Sequence, residues 1–132
     1  MTSTQLGRVQ LLIMQVLWDK KRATAREITE TICEREAIAH STVQTLLRGL
    51  EEKSAVGHEA EGRTFVFFPL VEENQFKKSA TRDFIERVFG GNVATLMAHL
   101  LNEDDNVTRE DIDEIRDLIK KRSKVGAKKK SK

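Results

Sequence analysis

A mainly α-helical fold with one small β-hairpin is predicted by three features of this chain. Two amphipathic helix patterns occupy the first 35 residues, and a third runs over 41–53. Two short strand-like runs then flank a glycine turn between residues 56 and 69. The elements follow in order. Leu6, Val9, Ile13, Val16 and Leu17 mark one face of a first helix that ends near Trp18 and Asp19. Thr24-Ala25-Arg26-Glu27 is a capping box, in which each side chain satisfies a backbone N–H left unpaired by the first turn. It opens a second helix, with Ile28 and Ile32 inward, that runs to about Arg35. In the third pattern Ser41 and Gln44 have the same capping spacing, and Val43, Leu46, Leu47 and Leu50 form one buried stripe.

On the opposite face of that third helix lie Ser41, Thr45 and Arg48, with Gln44 beside them. Hydroxyls, an amide and a guanidinium are the groups that pair with base edges and phosphates in a DNA groove. Any surface helix is polar outside, so the order of elements decides the reading. After Lys53, Val56 to Ala60 and Arg63 to Pro69 read as two strands around Glu61-Gly62. Helix, helix, capped helix and hairpin within 70 residues is the winged helix-turn-helix order. There the third helix enters the groove and the wing touches the flanking backbone. Ser41, Thr42, Gln44, Thr45, Arg48 and Arg63 are the expected DNA-binding residues.

The second half predicts three more helices. Phe76, Ala80, Phe84 and Val88 share a stripe from Glu72 to Phe89, and Gly90-Gly91 stop it. Asn92 caps a short helix bearing Val93, Leu96, Met97, Leu100 and Leu101. Thr108 with Asp111 opens the last, with Ile112, Ile115, Leu118 and Ile119 inward. Three short stripes make a thin core if left alone, so burial in a homodimer is the economical reading; the alternative is a monomer in which they pack back onto the winged helix. Phe84, Val88, Leu96, Leu100, Ile112 and Ile115 are the expected intersubunit core. The chain thus divides into a winged-helix domain over 1–71, a helical dimerisation domain over 72–122 and a basic, disordered tail over 123–132.

Charge is informative only when divided. Residues 1–70 hold nine Lys/Arg against nine Asp/Glu, residues 71–119 six against twelve, and residues 120–132 eight against none. A neutral DNA reader lacks the usual electrostatic footprint, and the tail is one place where that attraction can come from. The single cysteine, Cys33, excludes an internal disulfide; it and Trp18 fall on apolar stripes as expected core residues. The scattered His40, His58 and His99 have no metal-ligand spacing, and Asp104-x-Asn106-x-Thr108 lacks the glycine and bidentate acid of a calcium loop. No metal, cofactor or catalytic constellation is expected. Without a secretory signal or an apolar run long enough to span a bilayer, a cytoplasmic protein with no membrane insertion is expected.

Leu6…Val16-Leu17-Trp18, Thr24-Ala25-Arg26-Glu27-Ile28, Ser41 through Leu50, Gly62-Arg63-Thr64-Phe65 and Phe89-Gly90-Gly91 together resemble the penicillinase-repressor family. That family includes the β-lactamase and methicillin-resistance repressors and related copper-responsive repressors. The resemblance covers nearly the whole chain. It implies a homodimeric bacterial repressor on a palindromic operator, partnered by a membrane sensor protease. The copper-responsive members' C-terminal cysteine motif is absent here. In the β-lactam-responsive members an Asn–Phe bond is cut, and alignment through Leu96 and Asp105 places that bond at His99-Leu100. The alternative from another class is a winged helix used only for protein–protein assembly, without specific DNA binding.

Overall fold

The computed structural model describes residues 6–103 and 106–130, with the side chains of Glu103 and of 125–130 outside the description. Asp105, used above to align the cleavage bond, and the last two tail residues lie outside the described residues. In chain order the elements are α1 (Arg8–Lys20), β1 (Ala23–Thr24), α2 (Ala25–Cys33), α3 (His40–Glu52), β2 (Val56–Glu61), β3 (Thr64–Pro69), α4 (Glu73–Phe89), α5 (Val93–Glu103) and α6 (Arg109–Lys130). The chain divides into two compact units, one ending at Phe84 and the other beginning at Ile85.

The first unit is built on an aliphatic core. Ile13, Met14, Leu17, Ile28, Val43, Leu47, Leu50 and Val56 are its fully buried side chains, supplied by α1, α2, α3 and β2. Each contributes about 1.5–3 kcal/mol by leaving water. The Thr24–Glu27 capping box forms as expected: the Glu27 N–H donates to Thr24 Oγ1 at 3.1 Å and the Thr24 N–H to Glu27 Oε1 at 2.8 Å. Helix α3 ends in a Schellman arrangement, with the Ala55 N–H on the Leu50 carbonyl and the Ser54 N–H on the Glu51 carbonyl.

The sheet has the order β1-β3-β2, all antiparallel. The predicted hairpin forms with its turn one residue later than expected: Glu61 pairs with Thr64 and joins β2, and the two-residue connection is Gly62-Arg63. Gly62 sits at φ 66°, the left-handed value that the first position of a type II′ turn demands. The third strand, Ala23–Thr24, pairs with Phe67 and Val66 and ties the start of α2 to the wing.

The first unit also runs beyond residue 71, where the sequence placed its end. The Trp18 indole N–H donates to the Val71 carbonyl at 3.0 Å, and its ring meets Phe76 of α4 with centroids 5.5 Å apart. The first turns of α4 therefore pack on α1. Cys33, expected in the core, is exposed and its thiol donates to the Ile38 carbonyl. The buried stripe of α2 is Ile28, Thr29 and Ile32, and the next residue turns about 100° away from it.

In the second unit Gly90 and Gly91, both at positive φ, stop α4, and the Gly91 N–H closes onto the Ile85 carbonyl. Asn92 Oδ1 caps α5 through the Thr95 N–H, and Thr108 and Asp111 form a reciprocal box at the start of α6. Helix α6 continues to Lys130, through residues that the sequence reading assigned to a disordered tail. Lys, Arg and Ala are strong helix formers, and the one glycine there, Gly126, costs only about 1 kcal/mol.

Candidate nucleic-acid interface

Helix α3 offers a polar face because its apolar stripe is fully committed to the core. Val43, Leu47 and Leu50 are buried, whereas Ser41, Thr42, Gln44, Thr45 and Arg48 are all exposed. The wing turn exposes Arg63 as well. Between the start of α2, the exposed side of α3 and strand β3 lies an open concavity of about 910 Å³. Gln44, Arg48 and Arg63 line it together; Ser41, Thr42 and Thr45 do not.

One local expectation fails at this face. Helix α3 begins at His40 with Ala39 in the N-cap position, and no side chain caps it, so Ser41 and Gln44 do not form a capping box. His40 Nδ1 lies 3.2 Å from the Thr29 hydroxyl of α2, which draws residue 40 into the first turn. Ser41 is thereby moved inside the helix, and its side chain and that of Gln44 are left facing outward. Thr45 spends its hydroxyl proton on the Ser41 carbonyl at 3.0 Å, which leaves its oxygen to accept and its methyl to touch an apolar group.

The charges around the concavity are sorted. Three acids line it: Glu27, Glu51 and Glu61. Glu27 accepts from the Thr24 N–H, Glu51 accepts from His58 Nδ1, and Glu61 is paired with Arg22 at 3.1 Å. Arg22 also reaches Glu59 at 3.3 Å; the hydrogen bond to Glu59 is the largest cause holding its guanidinium above the ordinary arginine value. Three other arginines on the concavity, Arg26, Arg48 and Arg63, have no acidic partner among the described residues. A unit that is neutral by count thus presents three uncommitted guanidinium groups beside acids that are already engaged.

Nothing in the periodicity of the chain marks Arg22 and Arg26 as DNA-facing residues. Strand β1 is two residues long, too short for any alternation to show. The available signal was a basic pair flanking a helix cap in the element that crosses the DNA backbone in helix-turn-helix folds.

Of the residues expected at a subunit interface, Phe84 lies at the end of the first unit and is 43% exposed. In the second unit Val88 (54%) and Ile112 are exposed, and Leu96, Leu100 and Ile115 are half-buried. Leu118 and Ile119, expected inward, are 62% and 59% exposed. Ile85 of α4, one step off the predicted stripe, is buried. The His99-Leu100 bond falls inside α5, with His99 edge-on to Phe89. No helix among the described residues is long and apolar enough to cross a membrane.

Comparison with known proteins places these features together. Residues 6–121 match the family model described as penicillinase repressor. The chain is similar to the penicillinase repressor of Bacillus licheniformis, 26% identical over 115 residues that cover 87% of this chain and 89% of the relative. It is also similar to the methicillin resistance regulatory protein MecI of Staphylococcus aureus (strain N315), 27% identical over 118 residues covering 89% and 95%. Among solved structures, the DNA binding domain of the repressor BlaI superposes with a TM-score of 0.50 at 30% identity, covering 55% of this chain and 90% of that one.

Proposed function

The chain belongs to the penicillinase repressor family, and on that premise we propose that it is a homodimeric transcriptional repressor of the cytoplasm that grips a palindromic DNA operator through one winged helix per subunit. It acts by binding, not by catalysis. The observation that carries the proposal is the sorted charge around the concavity: Arg26, Arg48 and Arg63 have no acidic partner among the described residues, and the neighbouring acids are engaged. In this reading Thr45 and Arg48 meet base edges, Ser41, Thr42 and Gln44 anchor the start of α3, and Arg63 reaches a flanking phosphate or the minor groove.

Phe84, Val88, Leu96, Leu100, Ile112 and Ile115 supply the subunit interface. Two-fold symmetry then sets the half-sites about one helical turn of DNA, or a small multiple, apart. Repression is relieved at the dimerisation helices, by a membrane sensor protease cutting at His99-Leu100 or by another signal. A cut there requires α5 to open locally, since both residues are helical.

A mobility-shift titration tests the function, using duplexes from upstream of the chain's own coding sequence at two salt concentrations. Specific binding that weakens steeply with salt is the expected result. Absence of binding to every such duplex would favour a protein–protein assembly module.

A further inference from the structure

The outer face of the wing carries a feature that DNA reading alone does not account for. Glu59 and Glu61 both lie on β2, within four residues of Arg63, the residue proposed to reach for DNA. Two carboxylates at that place would repel a phosphate backbone. Arg22, just before β1 on the far edge of the sheet, crosses the central strand to meet them. Its Nη2 lies 3.3 Å from Glu59 and 3.1 Å from Glu61, and its guanidinium carbon sits 5.8 Å from the centre of the Phe68 ring. The ring lies over Gly57, where an added Cβ would come within 3.0 Å of Phe68 Cε1. All three strands are therefore joined by one side chain resting on an aromatic platform.

We propose that Arg22 is a positioning residue for DNA binding: it straps the wing in place and masks Glu59 and Glu61 from the phosphate backbone. The inference rests on the operator-binding reading above. Stability is not the purpose of the strap, because ion pairs this exposed contribute little to folding. Their effect falls on a nearby polyanion, where an uncompensated like charge slows encounter and weakens the complex in a salt-dependent way. Arginine suits the task, since a planar guanidinium stacks on a ring while bonding to carboxylates, and lysine cannot do both.

The test compares the full-length wild type, Arg22→Ala, and Arg22→Ala combined with Glu59→Gln and Glu61→Gln. Binding is measured to a duplex from upstream of the chain's own coding sequence. Arg22→Ala should bind roughly tenfold more weakly at low salt, with the deficit shrinking as salt screens the exposed acids. The triple variant should recover most of that deficit, because the acids that needed masking are gone, and the loosened wing accounts for what remains. Wild-type affinity in Arg22→Ala overturns the proposal. So does a triple variant as weak as the single one, since masking of Glu59 and Glu61 would then have no part in the loss. Amide exchange in the free protein judges the strap without DNA: Ala60 to Thr64 should exchange about threefold faster or more in Arg22→Ala. Unchanged exchange overturns it. A wild type that binds no duplex would sink the operator reading and leave the exchange result to decide the strap.

Discussion

Gly49 sits on α3 facing Gln10 of α1, and replacing it with alanine sets two effects of similar size against each other. A Cβ at residue 49 would lie 3.2 Å from Gln10 Nε2, tight enough to make the amide give way. Gln10 is 9% exposed, and its Oε1 accepts from the Gly7 N–H at 3.2 Å and from Lys53 Nζ at 3.3 Å. Removing glycine from a helix interior gains about 1 kcal/mol. Displacing the Gln10 amide puts two hydrogen bonds at risk, each contributing about 0.5–1.5 kcal/mol. Gly49→Ala should therefore destabilise the winged-helix unit by about 1 kcal/mol net, a fall of roughly 4–8 °C in Tm. In a Gln10→Ala background the obstruction is gone, and the same substitution should stabilise by about 1 kcal/mol. Thermal melts of the four proteins, at one fixed concentration because a dimer's Tm depends on it, give a coupling of about 2 kcal/mol. Equal stabilisation in both backgrounds would refute the claim that Gln10 senses residue 49.

Other outcomes follow from the same structure. Leu100→Asp, placing a charge on the half-buried side of α5, should turn a dimer into a monomer in sedimentation at micromolar concentration; a monomeric wild type would remove the dimer and the palindrome with it. Truncation after Arg122 removes five lysines per subunit and should flatten the salt dependence of DNA binding without changing sequence preference; an unchanged slope would make this end of α6 a solvated surface. Arg8 bonds Glu36 at 2.7 Å and its hydrogen bond holds that carboxyl below the ordinary value of 4.5. A depressed folded-state value means that the stabilisation is full above 4.5 and is lost as pH falls through the lower, folded value. The Tm gap between wild type and Glu36→Gln should be steady from pH 7 to pH 5 and close on further acidification; a gap that widens in acid would contradict the pairing.

The winged helix was legible in the sequence where periodicity was long and caps were paired. The stripe Val43, Leu47 and Leu50, the Thr24–Glu27 box, the Asn92 and Thr108 caps and the Gly62 turn all formed where their residues predicted. What failed was set by distant partners. Ser41 has good capping chemistry, but the His40–Thr29 contact moved the helix start one residue ahead of it. Strand β1 and the Arg22 strap exist only because β3 lies alongside. The boundary after residue 71 missed the Trp18–Phe76 contact, since nothing in a single helix stripe says which of its residues pack backward. The neutral charge of the first half was misleading because a count ignores pairing. The acids lining the concavity are engaged, and three of its arginines have no acidic partner among the described residues.

The central claim is that the exposed face of α3 reads DNA sequence while the wing supplies attraction without sequence preference. Equilibrium binding of wild type, Arg48→Ala and Arg63→Ala to an operator duplex and to a scrambled one tests it most directly. Arg48→Ala should lose about 1–3 kcal/mol on the operator and much less on the scrambled duplex, so that the specificity ratio falls. Arg63→Ala should weaken both duplexes about equally, leaving the ratio intact. A folded Arg48→Ala protein with undiminished operator affinity, or one that loses equally on both duplexes, would contradict the assignment of α3 as the reading helix.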